Sequence, residues 1–326
     1  MAELGDDSNS IEAPPGVMWD KIILPEQHLW GSVPFFYRCR SQGGPEILSM
    51  TNIGGPEIIR TIHTQFQPRS SDVHVVTYPK AGTTWLQEIV WLVNNKVDVE
   101  KSSRTPSGER TLYIELVRND GGESDRVKTL NSMASPRHVK WHHPAWLLPS
   151  HVTMGAKIVY LYRNPKDTAV SWFHFQRMNK LYGFTGTFDQ FLPLFLADKV
   201  PYGSYWENLI SWWKLKDQPN ILILSYETLH QDIESSIRKI AKFLEQDLST
   251  EEVLTISQHT SFSRMKVDPM VNGSKIQKIE GESDFMRKGK VGDWKNYFSE
   301  EQNKTMDSWI QNNNAMFNIP MIFQVD

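Results

Sequence analysis

The chain has 326 residues, 35 of them Lys or Arg and 38 Asp or Glu, with one Cys and 12 Trp. A formal net charge of −3 excludes a strongly basic nucleic-acid binder but leaves room for a local basic pocket. Cys39 has no second cysteine to pair with, so this is not a disulfide-stapled secreted scaffold, and a reducing, cytoplasmic setting is expected.

Residues 1–16, MAELGDDSNSIEAPPG, are acidic and polar with no apolar h-region; they read as a mobile tail rather than a signal peptide. Residues 1–40 are expected to be a mostly flexible extension and 41–326 one α/β domain, although length alone also allows about two domains. Residues 42–55 and 119–125 are Gly-rich connections. No window reaches the roughly 18 apolar residues of a membrane span. The tightest cluster, Ile89–Val93, is core-sized.

Three β-rich runs stand out in chain order: Val73–Tyr78, Lys157–Tyr162 and Ile221–Tyr226. A helical pattern follows each. After the first, Trp85, Ile89 and Val93 recur at four-residue spacing, as do Leu86 and Val90. After the second, Asn164 suits an N-cap and Pro165 the first helical position, with the helix reaching about Met178. After the third, Ile233, Ile237, Ile240 and Leu244 mark one face. Ser249-x-x-Glu252 and Ser299-x-x-Gln302 are capping-box signals for two later helices. Residues 266–284 lack periodicity and read as a long surface loop, of the kind that often covers a site. Strands alternating with helices predict a central parallel sheet, with ligands beyond the carboxyl ends of its strands.

The turn after the first strand, Thr77-Tyr-Pro-Lys80-Ala81-Gly82-Thr83-Thr84-Trp85, has the chemistry of a phosphate loop. Gly82 permits close backbone approach, amides at a helix N-terminus point at an anion, Lys80 adds charge, and Thr83 and Thr84 add hydroxyls. GxxxxGK[ST] is absent, and Ala81 stands where a Mg²⁺-holding hydroxyl follows the lysine in nucleotide hydrolases. On these residues alone, a plain strand–helix turn with a solvated lysine remains open. TYPKAGTTWLQE closely resembles the 5′-phosphosulfate loop of the cytosolic sulfotransferases.

The rest follows from that resemblance. RNPKDTAVSWFHF is similar to the family segment that binds the donor's 3′-phosphate, which assigns Arg163 and Ser171 to it and points Phe175 at the acceptor. Phe285-Met286-Arg287-Lys288-Gly289, opening FMRKGKVGDWKN, resembles the loop that closes over the same phosphate. Arg287, Lys288 and a Gly amide suit a doubly charged anion, although a basic tripeptide is more commonly a solvated face. Tyr226-Glu227, Thr260-Ser261-Phe262 and Met265, with Trp85, fall on the family's adenine-contacting positions. The implied donor is 3′-phosphoadenosine 5′-phosphosulfate (PAPS), with product 3′-phosphoadenosine 5′-phosphate (PAP) and no metal; one Cys and adjacent histidines make no zinc cluster.

Lys140-Trp141-His142-His143-Pro144 resembles the stretch that carries the family's catalytic histidine. Register makes His142 the general base and Lys140 its neighbour, with His143 the alternative; in an extended segment the two rings point to opposite sides, so only one serves. Lys80 is the third catalytic group, placed to stabilise charge as the phosphate leaves. Trp141, Trp146, Phe175, Tyr113 and Tyr202 are acceptor-pocket candidates, each equally readable as core. The resemblance implies sulfuryl transfer to a hydroxyl or amine of a small lipophilic acceptor. Two rivals stay open: a catalytically weak or regulatory PAP-binding member, and a P-loop-like small-molecule kinase. The family's KxxxTVxxxE dimer motif is degraded here to Lys295, Ser299, Glu300 and Lys304, which leans towards a monomer.

Overall fold

Two strands lie inside the stretch that reads as a flexible extension. The structure, a computed structural model, describes residues 16–41, 44–50, 53–116, 126–150 and 155–325; residues 1–15 and 119–125 lie outside them. β1 (Val17–Ile22), β2 (Phe36–Ser41) and β3 (Glu46–Ser49) form an antiparallel sheet in the order β1-β2-β3. The expectation for residues 17–40 is therefore corrected: Trp30, Phe36 and Cys39 are buried in the same core as the main sheet. Trp30 Nε1 also donates to Gln176 Oε1 at 2.7 Å. The strands escape the sequence pattern because charge interrupts it. Asp20 faces Arg38 in register and accepts from both Arg38 and Arg40, so the polar residues pair across the strands.

The main sheet holds β4 (Val73–Thr77), β5 (Leu112–Tyr113), β6 (His138–Trp141), β7 (Lys157–Tyr162) and β8 (Ile221–Ser225). All are parallel, in the order β5-β6-β4-β7-β8. β4 is buried along its whole length, as a strand covered on both faces must be. Alternate residues feed two cores: Val75, Val159 and Leu161 pack on one face, and Val76, Ile158 and Tyr160 on the other. The predicted strands match, except that Tyr78 and Tyr226 fall just past their ends.

On one face lie α2 (Thr83–Asn94), which follows α1 (Pro56–Gln65), and the helices Ile233–Phe243 and Thr250–His259. On the other lie the helices Pro165–Met178, Phe188–Leu196, Tyr205–Trp213 and Glu300–Asn314. Asn164 caps Pro165–Met178 by accepting from the Asp167 amide, and both predicted capping boxes form. A third box, Thr187 with Gln190, went unread. Because every strand of the main sheet is parallel, the segments after Thr77, Tyr113, Trp141, Tyr162 and Ser225 gather at one edge. No helix among the described residues is long and apolar enough to cross a membrane.

Candidate active site

Beyond that edge lies a cavity of about 940 Å³. Its first wall is the loop between β4 and α2. Gly82 ends the loop at φ +105°, and a Cβ there would meet the Tyr226 ring at 2.6 Å, so only glycine fits. Lys80 sits at φ +68°, a conformation that costs a non-glycine residue energy. The Leu86 amide is the first to reach back to Gly82, and the Gly82 cap offers no side-chain acceptor. The amides of Thr83, Thr84 and Trp85 therefore open α2 without an intrahelical partner, as an anion site requires. Thr83 Oγ1 lies 2.6 Å from Thr77 Oγ1. Ala81 is fully buried and does not line the cavity.

Cations converge here from distant segments. Lys80 Nζ stands between the rings of Phe175 and Phe285, 4.2 and 4.1 Å from their centroids. Burial, reinforced by Lys140, Arg163 and Arg287, lowers its pKa to about 7. Lys140 Nζ lies 4.1 Å over the Tyr113 ring; burial lowers it to about 8 against the upward pull of Glu115. Arg163 stacks 4.3 Å over Tyr226 and donates to the Lys290 carbonyl at 2.9 Å. Its Nε is buried with no hydrogen-bond partner among the described residues. Ser171, two turns along the helix, lines the same wall.

Arg287 and Lys288 both lie 2.6 Å from the Asp293 carboxylate, which holds them in place before any anion arrives. Burial opposes ionisation of Asp293, but hydrogen bonds from Lys288, Asn296 and Arg287 outweigh it and hold its pKa at about 2. Asp167 accepts from the Gly292 and Trp294 amides at 2.8 and 3.0 Å, fastening this loop to the start of the Pro165–Met178 helix. Gly289, at φ +65°, brings its backbone against Phe262, where a Cβ would lie 2.2 Å from the ring. Trp85, Tyr226, Thr260, Phe262, Met265 and Met286 line this end. Glu227 does not: it is buried and accepts from the Asn164 amide and side chain, both at 2.9 Å.

His142 stands at the middle of the cavity. Its Nδ1 lies 2.8 Å from the Thr77 carbonyl, which can only accept; Nδ1 thus carries the proton and Nε2 the lone pair. Burial, then Lys140, pushes its pKa well below the usual histidine value, so the neutral base is the resting form. The rings of Tyr113 and Tyr202 flank it at 5.2 and 5.4 Å, with their hydroxyls paired. Phe175, Trp172, Leu181 and Tyr182 continue the apolar wall, and the 266–284 loop covers it through Met270, Gly273 and Ile276. His143 points away and does not line the cavity.

Two acceptor-pocket candidates are corrected. Trp141 is the last residue of β6, and the alternation that turns Lys140 to the cavity turns Trp141 to the opposite face. There its Nε1 donates to His74 Nδ1 at 2.6 Å. Trp146 lies on a 3₁₀ turn beyond His143 and donates to Glu207 at 2.8 Å, outside the cavity. Asp167, Glu115 and Thr77 hold the site together yet are hidden in the sequence, because each acts on a partner far away in the chain or through its backbone. Among the described residues, no group of three or more His, Cys, Asp or Glu is arranged to hold a metal ion.

Comparison with known proteins agrees with this architecture. Residues 70–318 match the sulfotransferase domain family. The chain is 41% identical to Sulfotransferase 1B1 of Canis lupus familiaris over 247 residues, 74% of this chain and 83% of that one. It is 40% identical to Sulfotransferase 1C2 of Homo sapiens over 246 residues, covering 74% and 82%. Among solved structures it is similar to retinol dehydratase in complex with retinol and PAP, with TM-score 0.82, 26% identity and coverage of 94% and 99%. It is also similar to a mouse sulfotransferase complexed with PAP, with TM-score 0.68, 33% identity and coverage of 83% and 93%.

Proposed function

The chain belongs to the sulfotransferase family, and we propose that its cavity binds PAPS at the cationic end and a lipophilic hydroxyl compound at the aromatic end, with His142 between them as general base. The observation that carries this reading is His142 itself. Its Nδ1 is tied to the Thr77 carbonyl, and its neutral ring lines the cavity that the phosphate loop also lines.

The residues present suit the donor. The orphaned Nε of Arg163 and the unpartnered amides that open α2 are features that an anionic nucleotide satisfies. Arg163, Ser171, Arg287, Lys288 and Gly289 would hold the 3′-phosphate. Lys80, Thr83, Thr84 and the amides that open α2 would hold the 5′ side. Trp85, Tyr226, Thr260, Phe262, Met265, Phe285 and Met286 would enclose the adenosine. Bound there, PAPS supplies the sulfuryl group. His142 Nε2 takes the acceptor proton, and Lys80 and Lys140 present positive charge where negative charge builds up. Catalysis is thus positioning plus electrostatic stabilisation.

Phe175, Tyr113 and Tyr202, with Trp172, Leu181 and Tyr182, favour a flat, apolar phenol or steroid-like alcohol. The likeness to a structure that holds retinol, a lipophilic alcohol, supports that choice. The lone Cys39, free and buried with no second cysteine for a disulfide, supports a cytoplasmic setting. Glu300 and Lys304, exposed on the Glu300–Asn314 helix, depart from the family's dimer motif and support a monomer. Sedimentation equilibrium is expected to return the mass of one chain; the mass of two would contradict this.

The donor half of the reading predicts proton uptake. With a pKa of about 7, Lys80 is mostly neutral at pH 8 in the free protein, and an arriving anion raises that pKa. Lys140, at about 8, moves the same way. The ligand's phosphates, with second pKa values of about 6, are already ionised and release nothing. PAP binding at pH 8 should therefore take up about one proton, and affinity should fall as pH rises from 7 to 9. Calorimetry in two buffers of different ionisation heat measures the uptake; identical heats would contradict the role of Lys80.

A further inference from the structure

We propose that the buried pair Glu115–His143 is a positioning unit for His142, so that the second histidine of the His142-His143 doublet serves the first. The proposal rests on His142 acting as the base.

Glu115 follows β5 and is fully buried. Its carboxylate accepts from the His142 amide at 2.9 Å, the His143 amide at 2.9 Å and His143 Nδ1 at 2.5 Å. One charged acceptor thus grips two consecutive residues at three points, and charge-assisted hydrogen bonds of this kind are short and strong. His143 is held on its other sides as well. Its Nε2 lies 3.5 Å from Ser49 Oγ on β3, and its carbonyl accepts from Trp212 Nε1 at 3.2 Å. Gly54, at φ +65°, leaves room for the ring; a Cβ there would lie 2.1 Å from His143 Cε1. The Gly54 amide donates to the Glu115 carbonyl at 2.8 Å, completing the enclosure.

The consequence for His142 is geometric. His142 lines the cavity while His143, the next residue, is buried away from it, so anchoring the His143 ring in the interior fixes the side to which the His142 ring turns. The Glu115 bond to the His142 amide and the Asn208 bond to its carbonyl, at 2.7 Å, fix the backbone on both sides of that ring. His143 also packs on Tyr202, 5.3 Å between centroids, and Tyr202 forms one flank of His142. A ring held this way meets the acceptor oxygen already oriented, which affects the rate of proton transfer more than ground-state binding.

The test uses the full chain with His143→Leu, His143→Asn and His143→Gln. PAP affinity, acceptor KM and kcat are measured with a simple phenol, and His142→Ala is run alongside. Asparagine puts an amide N–H where Nδ1–H was; glutamine puts one in place of Nε2, towards Ser49. Leucine is expected to lower kcat by about 10- to 100-fold, the scale of a displacement near 1 Å, with PAP affinity and KM close to wild type. Asparagine should recover most of that loss and glutamine little of it. Equal kcat for the Asn and Gln variants would overturn the proposal even if the Leu variant fails to fold. So would a wild-type kcat for the Leu variant, or a rise in KM that accounts for the loss. A wild-type kcat for His142→Ala would instead overturn the reading of His142 as base.

Discussion

Replacing His142 with alanine is expected to lower kcat by roughly 10²- to 10⁴-fold, the usual contribution of a positioned general base, while leaving PAP affinity near wild type. The two effects separate because the proposed donor contacts come from other segments: the 80–85 loop, Arg163, Ser171 and the Arg287-Lys288-Gly289 run. Alanine also removes the Nδ1–H bond to the Thr77 carbonyl, but the Glu115 and Asn208 bonds to the backbone of residue 142 remain, so the segment should stay in place. Lys140 is not a substitute base at neutral pH, since with a pKa of about 8 it is mostly protonated there. A phenol assay with saturating PAPS, paired with PAP calorimetry, measures both quantities. Turnover near wild type with PAP still bound would remove His142 from the chemistry.

For Arg163→Ala the expected loss is in donor affinity. A buried charge-assisted contact is worth about 1.5–3 kcal/mol, so PAP binding should weaken roughly 10- to 150-fold. Two features place Arg163 at the upper end. Its Nε is buried with no partner among the described residues, so an incoming phosphate would satisfy a group that already bears a desolvation cost. Its guanidinium also bonds the Lys290 carbonyl, so alanine loosens the loop that carries Arg287 and Lys288. Lysine at this position should recover only part of the loss, because an ammonium cannot contact phosphate bidentately while stacked on Tyr226. Acceptor KM at saturating PAPS should be unaffected. Unchanged PAP affinity by calorimetry would contradict the phosphate role.

The parts of this molecule that sequence reveals are those with local causes. β4 and β7 are apolar runs because helices cover both faces, and the helix after β7 is announced by Asn164 and Pro165, which act within one turn of themselves. The phosphate loop is legible for the same reason: Lys80, Gly82 and the two threonines do their work within six residues. The N-terminal sheet is illegible because its strands carry Asp20, Arg38 and Arg40, whose charges make sense only across the pairing. Trp141 illustrates a different limit. Its residue type suited an aromatic pocket, but its face is decided by the parity of β6, and one residue separates the cavity from the core. Asp293 lies only six and five residues from Arg287 and Lys288, the cations that it holds, but the amides of Gly292 and Trp294 that Asp167 holds arrive through the tertiary fold. Glu115 is hidden in the same way, its partners lying 27 and 28 residues further along.

Transfer of a labelled sulfuryl group from PAPS to a simple phenol tests the central claim most directly, because it requires the cationic end, the aromatic end and His142 to work together in one cavity. One PAP is expected for each aryl sulfate formed by the wild-type chain, with His142→Ala forming product roughly 10²- to 10⁴-fold more slowly despite wild-type PAP binding. Tight PAP binding by the wild-type chain with no sulfated product across a broad panel of phenols and lipophilic alcohols would contradict it.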